Sequence, residues 1–256
     1  MKLGLLTYNI AREWDLDTLL IKAKELGFEG VEFRVDAHHA HGVEVDLTSQ
    51  QRREVAQRIA ASGLINCGLG SGCRYDSPDE SKLSESIERT KALLQLTADL
   101  GGAGLKVFGN NFHEDQGISK ETTIEQVGKA MKECAKTAND LGVELRFEMH
   151  GDFDPPQYCL KVLELAGEPS VSLIYNSDRR DVVDGSVAGT IAKVRKFVTH
   201  IHMHDLADPE YPHQEMLRIF RDSGYDGFAV AEIQGSPDPE RVLKYFVALY
   251  HAYLGA

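Results

Sequence analysis

Cysteine is scarce. The 256 residues hold four, Cys67, Cys73, Cys134 and Cys159. Their spacing matches no zinc pattern, and a chain this long needs no disulfide staples, so free thiols in a reducing cytoplasm are expected. Long apolar runs are missing as well. No stretch approaches the roughly 18 apolar residues of a membrane span, which argues against a membrane protein. Met1 and Lys2 lead straight into a short apolar run, Leu3–Leu6, too brief for a secretory signal. Positive charge is in deficit: 28 Lys and Arg face 40 Asp and Glu, for a formal net charge of −12. Nucleic acids are held through Lys and Arg on their phosphates, so this balance argues against DNA or RNA as a partner. It suits solubility instead. No glycine-rich phosphate turn follows the first apolar run, which argues against an open dinucleotide-binding sheet. A Ser-His-Asp or Cys-His nucleophile set finds no support, and no linker or low-complexity stretch divides the chain.

What is present is one unit repeated eight times. A short apolar run leads to a polar loop, then an amphipathic helix, then Gly, then the next apolar run. In the first helix, Asp15 or Asp17 can cap the start. Leu16, Leu19, Leu20, Ala23 and Leu26 follow at helical spacing, and Gly27 stops the helix. The same stop recurs at Gly63, Gly101, Gly142, Gly167 and Gly224. Strands are expected at about 3–9, 30–36, 64–71, 104–109, 143–149, 171–176, 198–204 and 228–233. Strict alternation implies parallel strands joined by right-handed crossovers. Eight units in 256 residues predict a single α/β domain over 1–256, a closed (β/α)₈ TIM barrel with outer helices. The polar stretches 72–80 and 110–122 are expected as site loops.

In such a barrel, polar residues at the carboxyl ends of the strands converge on one mouth. The fifth run places Leu145, Phe147 and Met149 on one face and Glu144, Arg146, Glu148 and His150 on the other. An internal Arg146 ion pair accounts for Glu144 but not for Glu148 and His150 together. The seventh run alternates His200, His202 and His204 on one face and ends at Asp205. The eighth carries a single charge, Glu232, at its end. The sixth ends in Asn176 and Asp178 on one face, either a turn or a ligand. Glu148, Asn176, His202 and Glu232 thus form an oxygen-rich set with one imidazole, suited to a hard or borderline divalent cation. Two carboxylates across such a cation can remove and return a proton alpha to a carbonyl. Arg34 and Asp36, with Glu32 on the same face, and Lys106 either bind substrate hydroxyls or form internal ion pairs. His38, His39 and His41 fall in a polar stretch and are expected in a solvated turn.

At these strand ends the chain resembles the xylose isomerase-like barrel superfamily of sugar isomerases, epimerases and related enzymes. The resemblance covers nearly the whole chain and is carried locally by Phe147-Glu148-Met149-His150-Gly151, by 171–181, by His200-Ile201-His202-Met203-His204-Asp205 and by Gly227 to Glu232. It implies one divalent metal (manganese, magnesium, zinc or cobalt) on Glu148, Asn176, His202 and Glu232. The two glutamates would also serve as acid and base. Two departures stand out. The family's sixth-strand Asp is followed three residues on by His; here Asn176 is followed by Arg179. A neutral Asn removes one ligand charge and weakens the metal site. Reading Asp178 as the ligand restores the charge but leaves Asp181 at the His offset. The usual Lys of the seventh-strand motif gives way to His204.

The resulting expectation is a metal-assisted isomerase or epimerase of carbohydrate metabolism. It would act on a small polyhydroxy aldehyde or ketone, with His150, Lys106, Arg34 and His204 as substrate contacts. A dehydratase or lyase of a cyclic polyol would use the same groups. A non-catalytic sugar-binding barrel is the alternative from another class, favoured by Asn176 and Arg179. The endonuclease branch of the fold is disfavoured, because its three-zinc cluster needs a sixth-strand His that this chain lacks. The sequence leaves open whether the chain forms a homo-oligomer.

Overall fold

The computed structural model describes residues 1–255. Eight strands alternate with eight α-helices. In order they are β1 (Lys2–Leu6), α1 (Leu16–Glu25), β2 (Gly30–Arg34), α2 (Ser49–Ser62), β3 (Ile65–Arg74), α3 (Glu80–Asp99), β4 (Gly104–Asn110) and α4 (Lys120–Leu141). The second half runs β5 (Glu144–Gly151), α5 (Pro156–Ala166), β6 (Val171–Asn176), α6 (Ala188–Val194), β7 (Val198–Met203), α7 (His213–Asp222), β8 (Phe228–Ala231) and α8 (Pro239–Leu254). All strand pairs are parallel, and β8 closes on β1, giving the single (β/α)₈ TIM barrel expected.

Local chemistry sets the helix ends. The Asp15 carboxylate accepts the Thr18 N–H at 2.8 Å, so Asp15 caps α1. Asp17 instead pairs with Arg58 of α2. Thr48 and Gln51 cap α2 reciprocally. The α1 stripe Leu16, Leu19, Leu20 and Ala23 is buried as its spacing requires.

The strands have two unlike faces. Leu145, Phe147 and Met149 of β5 point outward and are fully buried in the large core between barrel and helices. The inward face of the barrel is divided. Leu6, Cys67, Phe228 and Val230 form a small apolar cluster of their own. β2, β5 and β7 instead turn charged groups inward. Glu32 of β2 touches His200 and His202 of β7, three strands away around the barrel, which only an interior side chain can do.

The structure moves several boundaries. β1 stops at Leu6, short of the expected end near residue 9, while β3 continues to Arg74 through a register shift against β4. The stretch 72–80 is therefore partly strand, and Tyr75 and Asp76 are buried rather than looped into solvent. His41 is also buried, against the expectation of a solvated turn. It sits beside Phe33, with Nε2 3.2 Å from the Thr7 hydroxyl and Nδ1 accepting the Val43 N–H. All four cysteines are buried and unpaired. Among the described residues, no helix is long and apolar enough to cross a membrane.

Candidate active and metal site

His202 sits at the centre of the barrel mouth, fully buried. Its Nδ1 lies 2.8 Å from Glu148 Oε1 and 3.0 Å from Glu232 Oε2. One ring nitrogen carries at most one proton, so it cannot satisfy two carboxylates at once. Glu232 Oε2 is correspondingly buried without a hydrogen bond, as is Asn176 Oδ1. Asn176 is the register partner of His202 across β6 and β7, and it lines the same cavity as Glu232. Glu148 Oε2 lies 2.7 Å from Lys106 Nζ, though poorly aligned for a hydrogen bond. A divalent cation among these oxygens and His202 Nδ1 would satisfy all of them, so the donor set fits a metal.

The other side of His202 is fixed. Its Nε2 is 3.0 Å from Glu32 Oε2, and His200 Nε2 reaches the same oxygen at 2.7 Å. His200 Nδ1 lies 3.1 Å from Arg146 Nη1, which can only donate. His200 is therefore the Nε2–H tautomer and donates to Glu32. Burial first, then Arg146, lowers its pKa to about 4, so it stays neutral. Glu32 acts as a shared acceptor that turns the Nδ1 of His202 toward Glu148 and Glu232. Carboxylates of this kind commonly orient imidazole ligands. Glu32, His200 and His202 also converge within 4.8 Å, but each facing atom already has a partner there.

The charges follow from these contacts. Burial raises the Glu148 carboxyl, but Lys106 and His202 outweigh it and hold the pKa at about 2. Burial also raises Glu232, and His202 overcomes it, leaving Glu232 below its usual range. Both glutamates are thus anionic. Arg146 pairs with Glu144 at 2.7 Å, the internal ion pair read from the sequence.

The sixth-strand alternatives now separate. Asp178 is tied to Arg180 at 2.8 Å and starts the 3₁₀ turn Arg179–Asp181. Arg179 turns outward to Asp208 and Glu210. Asn176 is the strand partner of His202, and Asp178, which lines the same cavity, is held by Arg180. Asp36 also departs from the mouth, pairing with Arg89 of α3.

Above the cluster lies a cavity of about 450 Å³. Lys106, His150, Arg34 and His204 all line it, as do Arg74, Asn110, Arg180 and Tyr8. His150 is held by Asn110, whose Oδ1 is 3.0 Å from Nδ1. Sequence reasoning placed Arg74 and Asn110 within the expected site loops 72–80 and 110–122 without giving either a role, and it left Tyr8 and Arg180 unmarked. Arg74 would have been found by extending the expected strand three residues past 71 in its alternating pattern. Asn110 is the last residue of β4, and Tyr8 and Arg180 sit beyond strand ends, where periodicity carries no signal.

Among curated proteins, no sequence matches this chain. Solved structures do. A 3-keto-D-glucoside 4-epimerase, YcjR, from E. coli superposes with TM-score 0.81 at 17% identity over 98% of this chain and 99% of its own. An L-ribulose 3-epimerase superposes with TM-score 0.81 at 18% identity over 99% and 94%. The IolI protein with a zinc atom superposes with TM-score 0.78 at 14% identity over 99% of each chain. At these identities the likeness is one of fold. The family model described as xylose isomerase-like TIM barrel matches residues 20–247. With its closed eight-stranded barrel and that match over most of its length, the chain belongs to the xylose isomerase-like TIM barrel family.

Proposed function

We propose that the protein is a metal-assisted isomerase or epimerase that moves a proton alpha to the carbonyl of a small polyhydroxy compound. One observation carries the reading: two ionised glutamates, Glu148 buried and Glu232 partly so, converge on a single imidazole nitrogen beneath a polar cavity. Glu148, Asn176, His202 and Glu232 would hold one divalent cation, which when bound would polarise the substrate oxygens and make the neighbouring C–H more acidic. The sugar epimerases and the zinc-carrying protein among the structural neighbours agree with this reading.

The protein's own groups do the rest. One glutamate takes the proton from the carbon beside the carbonyl. The other returns a proton to the opposite face, giving the epimer, or to the adjacent atom, giving the isomer. Lys106, 2.7 Å from Glu148, steadies that carboxylate and offers a proton-donating contact to a substrate oxygen. His150 and His204 stand at the cavity wall to bind hydroxyls. Arg179, one of two features that favoured a non-catalytic barrel, is paired with Asp208 and Glu210.

The test is hydrogen exchange. Manganese-loaded protein incubated with ketohexoses in D₂O should introduce deuterium beside the carbonyl. Glu148→Gln should lower that rate by about a thousandfold, the scale of a lost acid/base group, with the circular dichroism spectrum unchanged. Wild-type exchange rates in a folded Glu148→Gln protein would remove Glu148 from the chemistry.

A further inference from the structure

The cavity above the glutamates is unusually basic for a chain of net charge −12. Arg34, Arg74, Lys106 and Arg180 line it, against two lining acids, Asp178 and Glu232. Two of the cations are already committed: Lys106 to Glu148 at 2.7 Å, and Arg180 to Asp178 at 2.8 Å. The other two are not. Arg74, at the end of β3, reaches Asp76 only at 3.7 Å, and Asp76 also accepts the Asn111 N–H and faces His113. Arg34, at the end of β2, has no acidic partner among the described residues. Its Nη1 donates to the Gly70 carbonyl at 3.2 Å, and its Nε is buried without a partner. Lys106 is near enough to feel Arg34 as a repelling charge.

The surroundings of Arg34 are built to leave it free. Gly70 and Gly72 leave the face of β3 beside Arg34 without side chains. A Cβ at Gly72 would come 3.2 Å from Arg34 Nη2. Tyr8 lies beneath the guanidinium, with its ring centre 5.7 Å from Cζ. A half-buried guanidinium with an unsatisfied nitrogen is costly until an anion reaches it. Planar arginine forks bind carboxylate and phosphate oxygens in pairs.

We propose that the substrate is an anion. Its terminal carboxylate or phosphate would be taken by Arg34 with Arg74 on the β2–β3 side of the cavity, while its carbonyl end meets Glu148 and Glu232. This rests on the proposed reading that a polyhydroxy carbonyl compound fills the cavity. It adds a charge to that compound and assigns the charge a seat.

Calorimetric titration of the manganese-loaded protein tests it with three probes. These are D-fructose, D-fructose 6-phosphate and 5-keto-D-gluconate, at constant ionic strength. At least one charged probe should bind tenfold or more tightly than fructose, and the one that does identifies phosphate or carboxylate as the group. In Arg34→Gln that preference should fall below threefold, and Arg34→Lys should retain part of it through charge alone. In wild-type protein, raising sodium chloride from 50 to 500 mM should erode the affinity for the charged probe far more than that for fructose, which reads the seat without any variant. Equal affinity for all three probes, or a preference untouched by Arg34→Gln and by salt, overturns the inference. Deuterium exchange is scored separately. Charge-selective binding without exchange keeps the anion seat and removes the epimerase. Exchange on fructose without charge preference does the reverse.

Discussion

Asn176 is the uncharged oxygen donor of the proposed metal set, and a single substitution tests what that costs. Replacing it by Asp adds a formal charge beside Glu148 and Glu232, where two carboxylates already face one imidazole. Metal affinity rises with ligand charge. Asn176→Asp is therefore expected to bind manganese about tenfold or more tightly by titration. Without metal, the extra carboxylate repels its neighbours, so the metal-free melting temperature should drop below that of wild type. The two shifts should cross over on adding metal. No gain in affinity would mean that residue 176 does not face the ion. At this scale the sequence was partly readable. Glu148, His202 and Glu232 stood out because a charge in an apolar strand needs a reason. The same logic marked Glu32 but not its role. Its two histidine partners lie 168 and 170 residues away, a pairing that no local pattern encodes.

Strands and helices were more legible than their ends. Period-two alternation in β5 and β7 fixes which side chains face inward, because the pleat leaves no other choice. Boundaries depend on neighbours. β3 runs to Arg74 because β4 continues to pair with it, and His41 is buried because Phe33 and Thr7 pack around it. Neither partner is adjacent in sequence. The turn that ends β5 shows how an element's end shapes the site. Gly151 has φ +59°, and a Cβ there would come 2.2 Å from the Asn110 carbonyl oxygen. That segment also presents Asn110 Oδ1 to His150. Gly151→Ala should cost about 2 kcal/mol or more, lowering the melting temperature by roughly 4–8 °C. It should also slow deuterium exchange by displacing His150. Gly142→Ala is the matched control. Its φ is +68° but no atom lies within 4 Å of the new Cβ, so only the backbone cost of about 1 kcal/mol applies and exchange should persist.

The molecule as a whole carries a pH signature outside the candidate site. Asp154 and Asp181 are buried near each other, each with an oxygen lacking a partner. Burial, then repulsion from Asp181 and Asp178, raises Asp154 to about 8. Burial, with Asp178 adding, raises Asp181 to about 7. Both titrate near 3.9 in an unfolded chain. Between these values the folded state binds more protons than the unfolded state, so stability falls as pH rises through the interval. Buried His41 and His213 act oppositely. Burial lowers each to about 4, so the unfolded chain binds the extra proton and stability rises with pH, but only up to the ordinary histidine value near 6.5. The two trends overlap below about pH 6.5; above it the aspartates lower stability, and His202, whose burial is outweighed by Glu32 and Glu232 so that its pKa lies well above the ordinary histidine value, adds to the decline. Thermal unfolding of the wild type should therefore show a melting temperature that declines between pH 6.5 and 8.5. Asp154→Asn supplies a neutral side chain of the same shape and relieves Asp181 as well. It should flatten that decline, exceed wild type by about 3 °C or more at pH 8.5, and nearly match it at pH 5, where the wild-type carboxyl is already protonated. Parallel profiles for the two proteins would mean that Asp154 ionises in the fold as easily as in water, with Arg180, 3.7 Å away, compensating its burial.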